Sequence, residues 1–439
     1  MRKFLLSLLL TGSVFFTYAQ KPALSQKQGN IFKNASAESV GMSSERLQRL
    51  DKLLQEYTSK NLVPGAIALI MRDGKVVYQK AVGVNDLDTK APLAPDAIMR
   101  IASQTKALTS LGVMLLFEEG KFLLDEPVSK YIPAFKNQKV LETFNDKDSS
   151  YTTVPAKREV TIRHLLTHTS GIGYAGIGSK EATAIYAKAK VTSGIGTPHG
   201  KIGDAMNRLG SLPLMHQPGE KFTYSLSTDV LGYFIEVISG MPLDKFMRSR
   251  IFEPLDMTDT YFYLPANKQN RLANLFTEDA QKNTVKAVAR NGQSPDYPKV
   301  QDGTYFSGGA GLSSTIGDYA KFLQMMLNHG SYNGKQIISP ATVRLMTTNQ
   351  IGEVNQGDNK FGLGFGIITA KGAAKLGVSE GSYEWGGYFG TTYWVDPKEG
   401  IVALIYTQKA PNSTGGSLSD KFKAMVYQSI TSSRGKELD

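Results

Sequence analysis

The sequence predicts an α/β domain interrupted by an inserted all-α domain, with the site in the cleft between them. Three observations carry this prediction. Strand patterns occupy both ends of the 439-residue chain, helical patterns fill the middle, and the glycine-rich run Gly308–Gly311 marks the return from one to the other. The economical arrangement is a sheet that joins N- and C-terminal strands. The α/β domain is then discontinuous, covering 43–100 and 306–435, with the helical domain at 101–305.

The elements follow in order. Arg2 and Lys3 precede a mostly apolar stretch from Phe4 to Phe16, and Thr17-Tyr18-Ala19 puts small residues at the cleavage-determining positions. Residues 1–19 therefore read as an export signal cleaved after Ala19, with a periplasmic or secreted mature protein. An uncleaved N-terminal anchor is the alternative. The stretch is too short to favour a membrane span, and stable membrane insertion after cleavage is not expected. Residues 20–42 are polar and read as a tether. Ser43-Ser44-Glu45 opens a helix with Leu47, Leu50, Leu53, Leu54 and Tyr57 on one face. Ala66–Met71 and Lys75–Gly83 are apolar runs joined by Asp73-Gly74, a hairpin signal.

From about Ser103 to Leu275 the pattern is mostly helical, clearest over Leu108–Glu119 and Val230–Ser239. Residues 137–160 and 173–205 read as loops, with a short helix over Ala182–Ala189. A helix near Ile316–Asn328 follows the glycine run. Phe361–Ile368, Tyr383–Val395 and Ile401–Gln408 read as strands, the last two joined by the turn Asp396–Gly400. A final amphipathic helix carries Phe422, Met425, Val426 and Ile430.

Composition narrows the chemistry. The chain has no cysteine, which excludes disulfides, thiolate metal sites and a cysteine nucleophile. The net charge is +11, but the 50 Lys and Arg residues are scattered, so nucleic acid is not an expected partner. Two motifs mislead. Gly171–Gly176 matches G-x-G-x-x-G but lacks the strand before it and the helix after it that dinucleotide binding needs. Gly377–Gly381 matches G-x-S-x-G around Ser379, yet none of the five histidines follows it, so the hydrolase triad order fails.

The motif that carries chemistry is S-x-x-K, Ser103-Gln104-Thr105-Lys106, at the start of an apolar helix. Residues three apart share a helix face, so the hydroxyl and the amine meet in the first turn. Loss of water there favours the neutral amine, and a neutral amine beside a hydroxyl makes an activated nucleophile. The helix N-terminus adds backbone N–H groups for an oxyanion. By itself, the motif is equally an N-terminal serine and a surface lysine.

The further blocks resemble the serine β-lactamase and penicillin-binding protein superfamily, closest to class C-like family VIII carboxylesterases and related acyltransferases. Tyr224–Gly232 is similar to the tyrosine block, Trp385-Gly386-Gly387 occupies the place of K-T-G, and Thr161–Gly171 and Gly308–Leu312 resemble family stretches. The resemblance spans roughly residues 43–430. It implies a β-lactamase-like fold, with an antiparallel sheet flanked by helices and the site in the interdomain cleft. It implies Ser103 as acylated nucleophile, Lys106 and Tyr224 as the base system, and the N–H groups of Ser103 and Tyr388 as the oxyanion hole. Trp385, Gly386 and Gly387 would shape the pocket. No cofactor and no metal are expected. His164 and His168, four apart, read as a packing motif rather than as metal ligands.

Two departures bear on the substrate. In class C enzymes the tyrosine block ends in Asn and K-T-G supplies a cation; here those positions hold Leu226 and Trp385. Both changes remove polar grips on an anionic amide-bearing antibiotic and leave the acylating residues intact. The expected activity is hydrolysis of carboxylic esters through an acyl-enzyme on Ser103, with a small-molecule ester or amide as partner. A β-lactamase, a D-amino-acid or peptidoglycan peptidase, an acyltransferase and a binding protein that has lost the chemistry are the alternatives.

Overall fold

A computed structural model describes residues 32–192, 194–290, 293–413 and 417–434; the export-signal segment 1–19 lies outside them. Among the described residues no helix is long and apolar enough to cross a membrane. Of the expected tether 20–42, residues 20–31 also lie outside the described residues, and 32–42 correct the reading. Lys33–Asn34 forms a short strand (β1), Phe32, Ala37 and Met42 are buried, and Met42 pairs with Ile430. Three apolar residues spread over eleven positions were too sparse to show periodicity.

Helix α1 (Ser44–Ser59) starts where its cap predicts, with the Ser43 hydroxyl accepting from the Arg46 N–H. It buries Leu47, Leu50, Leu53, Leu54 and Tyr57. Strands β2 (Gly65–Arg72) and β3 (Lys75–Gly83) form the expected hairpin. Its two turn residues, Asp73 and Gly74, have φ of 58° and 71°, the left-handed pair that a two-residue hairpin of this hand requires. Next come α2 (Thr105–Glu118), α3 (Ser227–Ser239) and α4 (Ile316–Leu327). Strands β4 (Lys360–Phe361), β5 (Gly366–Ile367), β6 (Tyr383–Gly387), β7 (Thr391–Asp396) and β8 (Ile401–Tyr406) follow, and α5 (Leu418–Gln428) closes the chain.

These strands make one eight-stranded sheet in the order β1-β3-β2-β8-β7-β6-β5-β4. Every pairing is antiparallel except β1 with β3. The join between the chain's two ends is β2 against β8, with Ile67 opposite Tyr406 and Arg72 opposite Ile401. Both faces are covered. Ala66, Ala68, Ile70, Trp394 and Ala403 pack under α1 and α5, while Ile67, Leu69, Met71, Tyr393 and Leu404 continue into the main core with α2, α3 and α4. Burial on both sides is why residues 66–71 read as an unbroken apolar run rather than an alternation.

Four sequence readings need correction. The loop stretch 137–160 contains a hairpin, Lys139–Phe144 with Tyr151–Pro155. A second hairpin, Phe276–Glu278 with Thr284–Lys286, lies between α3 and α4, so the inserted region is not all helix. Phe361–Ile368 and Tyr383–Val395 are each two strands rather than one, turned at 362–365 and at 388–390. The two unforeseen hairpins have short or partly exposed strands, and a period of two cannot be read over so few residues with polar exceptions.

Trp394 is fully buried between the sheet and α5, with its ring 5.8 Å from that of Phe422. Trp394→Ala is expected to lower unfolding free energy by about 3–5 kcal/mol, measured by urea denaturation followed by far-UV circular dichroism.

Candidate active site

Ser103 lies in a single 3₁₀ turn, Ala102–Gln104, that leads into α2. Ala102 has φ of 41°, a left-handed value for a residue with a Cβ, which stores strain of order 1 kcal/mol. The turn is held against it from two sides. Tyr319 of α4 donates to the Gln104 carbonyl at 2.8 Å, and Tyr406 of β8 donates to Gln104 Oε1 at 2.6 Å.

Lys106, in the first turn of α2, is 2% exposed. Its Nζ lies 3.3 Å from Ser103 Oγ and donates to the Gly309 carbonyl at 2.8 Å. Tyr224 Oη donates to Ser103 Oγ at 2.5 Å. The same amine sits 4.6 Å from the centre of the Tyr224 ring. The structure thus brings Ser103, Lys106 and Tyr224 together, with a hydroxyl in contact with both an amine and a phenol. Such an arrangement can deprotonate the hydroxyl as it attacks a carbonyl.

Packing fixes the phenol. Its ring is stacked on Tyr174 at 5.7 Å and 15°, and lies 5.0 Å from the His168 ring and 5.7 Å from Trp385. His168 also accepts from the Thr223 N–H through its carbonyl at 2.8 Å and has its Nδ1 3.0 Å from Ser225 Oγ. It therefore grips the residues on both sides of Tyr224. Burial, with Lys106 nearby, holds the His168 imidazole well below its ordinary range, so it is neutral. His164 instead caps a helix, its Nδ1 accepting from the Thr161 N–H. The two rings do not converge, and no group of three metal-ligating side chains occurs among the described residues.

The end of β6 closes the other side. A Cβ on Gly387 would lie 2.3 Å from the Ile101 carbonyl and 2.3 Å from Thr391 Oγ1, so only glycine lets the strand come this close to the serine turn. Gly386 sits against the Thr391 carbonyl. Tyr388 follows at the rim, 55% exposed, its ring against Phe389. Trp385 is half-buried and lies edge-to-face on Phe361 at 5.2 Å. Leu226 is fully buried, and its N–H donates to the Gly173 carbonyl.

Neither decoy motif acquires its context. Gly171–Gly176 follows the helix Ile162–Leu166 and runs on as loop, and Ser379 follows the helix Ala370–Leu376 rather than a strand. Sequence reasoning missed Tyr174, Asp229 and the Gly309 carbonyl. Tyr174 sits inside the G-x-G-x-x-G decoy, and a backbone carbonyl 203 residues from its amine leaves no sequence signal.

The model of the Beta-lactamase family matches residues 50–424. The chain belongs to this family. Protein Rv1367c of Mycobacterium tuberculosis is 31% identical over 373 residues, covering 82% of this chain and 89% of that protein. Esterase EstB of Burkholderia gladioli is 29% identical over 399 residues, covering 86% and 94%. The solved structure of EstCE1, described as a hydrolase with promiscuous acyltransferase activity, is similar with a TM-score of 0.74 at 25% identity, covering 87% of this chain and 98% of that one. The protein is a serine β-lactamase-family hydrolase with the β-lactamase-like fold that the sequence blocks imply.

Burial holds His164 (at about 4), His168 and His216 below the usual imidazole range. The unfolded chain protonates these groups near ~6.5 while the folded chain resists. Stability is therefore expected to be full above about pH 6.5 and to decline as the pH falls from there toward about 4, read as urea midpoints across that range.

Proposed function

We propose that the protein is an exported serine esterase that cleaves carboxylic esters through an acyl-enzyme on Ser103. The observation that carries this reading is the contact of Ser103 Oγ with Tyr224 Oη at 2.5 Å and Lys106 Nζ at 3.3 Å, beside an aromatic wall of Trp385 and Phe361.

In acylation, Ser103 Oγ attacks the ester carbonyl carbon and its proton passes to the Lys106–Tyr224 pair. The oxyanion accepts from the N–H groups of Ser103 and Tyr388. Each such donor typically contributes about a hundredfold in rate. Collapse expels the alcohol, which takes the proton back from the pair. A water then attacks the acyl carbon, gives its proton to the same pair, and the released Ser103 oxygen is reprotonated. An alcohol in the place of water gives acyl transfer, the second activity named for EstCE1.

Ester over lactam follows from the pocket. Trp385 gives an apolar face where lactam-cleaving relatives carry a cation, and Leu226 has no polar atom to hold an amide side chain. The resemblance to esterase EstB supports the same choice. Export rests on Arg2, Lys3 and the apolar stretch Phe4–Phe16.

Ser103→Ala is expected to lower turnover of p-nitrophenyl butyrate by about a thousandfold or more, with loss of phosphonate labelling at residue 103. Retained turnover in that variant rules the proposal out, and nitrocefin or D-alanyl peptide rates above the ester rates assign the same serine chemistry to a different substrate. Intact-mass analysis of protein recovered from a periplasmic fraction is expected to give a chain beginning at Gln20.

A further inference from the structure

We infer that Asp229 is a positioning residue of the acylation machinery: its buried carboxylate locks the Gly309 carbonyl onto Lys106 and supplies the negative field in which that amine accepts the Ser103 proton. The inference rests on the Ser103 reading above and adds a group that touches neither Ser103 nor the pocket.

Asp229, in the first turn of α3, is 0% exposed. Its Oδ1 accepts from the Ser307 hydroxyl at 2.5 Å and from the Gly309 N–H at 3.3 Å. Ser307 Oγ in turn accepts from the Ala310 N–H, and the Ser307 carbonyl from the Gly311 N–H. On the far side Thr109 of α2 donates to the Gly308 carbonyl at 2.7 Å. The turn 307–311 is thus clamped between α2 and α3, and the result is one carbonyl, Gly309, aimed at Lys106 Nζ from 2.8 Å. The glycines are the condition for this clamp. A Cβ on Gly309 would lie 2.4 Å from Asp229 Oδ2, and one on Gly308 would lie 2.6 Å from the Thr228 carbonyl.

A clamp alone does not require a charge, since an amide oxygen would accept the same two donors. The second carboxylate oxygen, Oδ2, is buried and has no hydrogen-bond partner. A buried carboxylate left half-satisfied is costly unless a nearby charge compensates. The titratable groups facing it are Lys106 from α2, Tyr174 from the loop after Gly171, and Tyr305 from the segment before Ser307. Burial holds both phenols far above their ordinary range, so they are neutral, and Lys106 is the group of the set that gains positive charge when it takes the Ser103 proton. For the Asp229 carboxyl, burial raises the pKa, while the Ser307 hydroxyl, then Lys106, then the Gly309 N–H oppose it. A carboxylate held here stabilises the positive charge that Lys106 gains at the moment Ser103 attacks.

Asp229→Asn separates field from clamp, because its amide oxygen still accepts from Ser307 and Gly309. Measured on the full chain with p-nitrophenyl butyrate from pH 5 to 9, it is expected to lower kcat about tenfold at unchanged KM and move the acidic limb of kcat/KM down by roughly half a pH unit or more. The rate of Ser103 labelling by a fluorophosphonate should fall in parallel. Ser307→Ala loosens the clamp and also removes the foremost group that keeps the Asp229 carboxyl ionised, so it should lower kcat and move the acidic limb in the same direction as Asp229→Asn. A folded Asp229→Asn with a wild-type acidic limb overturns the inference, as does Ser307→Ala with wild-type kcat, which decides the matter if the Asn variant does not fold. A wild-type protein that neither turns over esters nor labels removes the esterase proposal and this inference together; an active, labelling wild type with unaffected variants removes this inference alone.

Discussion

Placing an amine in a nearly waterless interior constrains the rest of this molecule. Lys106 has little access to solvent, so its donors must be answered by protein oxygens. The Gly309 carbonyl and the Ser103 hydroxyl answer them, and the Tyr224 ring lies 4.6 Å from the amine. Those three partners come from widely separated parts of the chain. Bringing them to one point sets the path of the glycine turn after residue 307, the loop before α3 and the strained turn before α2. The left-handed Ala102 is tolerable because Gln104 is tied to α4 and to the sheet, which leaves the turn no room to relax.

Aromatic packing does for the phenol what hydrogen bonding does for the amine. Tyr174, His168 and Trp385 surround the Tyr224 ring, so its oxygen has one direction to point. Trp385 belongs to this wall and also rests on Phe361, so its ring ties the Tyr224 phenol to the edge of the sheet. A lysine at that position would bring a second amine toward the site and would give up the edge-to-face contact with Phe361.

Much of this was readable in the sequence, and the limits have physical causes. Ser103 and Lys106 are neighbours along one helix turn, so their spacing is enough to place them together. Tyr224 was reached only through the likeness of its block to known ones, since no local rule joins residues 121 apart. The hairpin β2–β3 was visible because its turn chemistry is local. The hairpins at 139–155 and 276–286 were hidden because their strands are short and partly exposed. Asp229 was passed over for a related reason. From sequence it is an acidic residue near the start of a helix, an ordinary place for one, and only tertiary structure shows that it faces inward toward a turn almost eighty residues on.

The pairing of β2 with β8 has a bearing on how the chain matures. Ile67 meets Tyr406 across the centre of the sheet, so a growing polypeptide holds an unpaired strand edge until Ile401–Tyr406, more than three hundred residues on, has been synthesised. During that interval Gly65–Arg72 can pair only with its own hairpin partner, and the platform beneath the serine turn is missing. Arg72, which reaches the carbonyls of Gly41, Glu399 and Ser432 from the end of that strand, then ties the segments before and after the sheet together. Chaperone dependence during synthesis, and vulnerability to proteases in chains that terminate early, follow from this late closure.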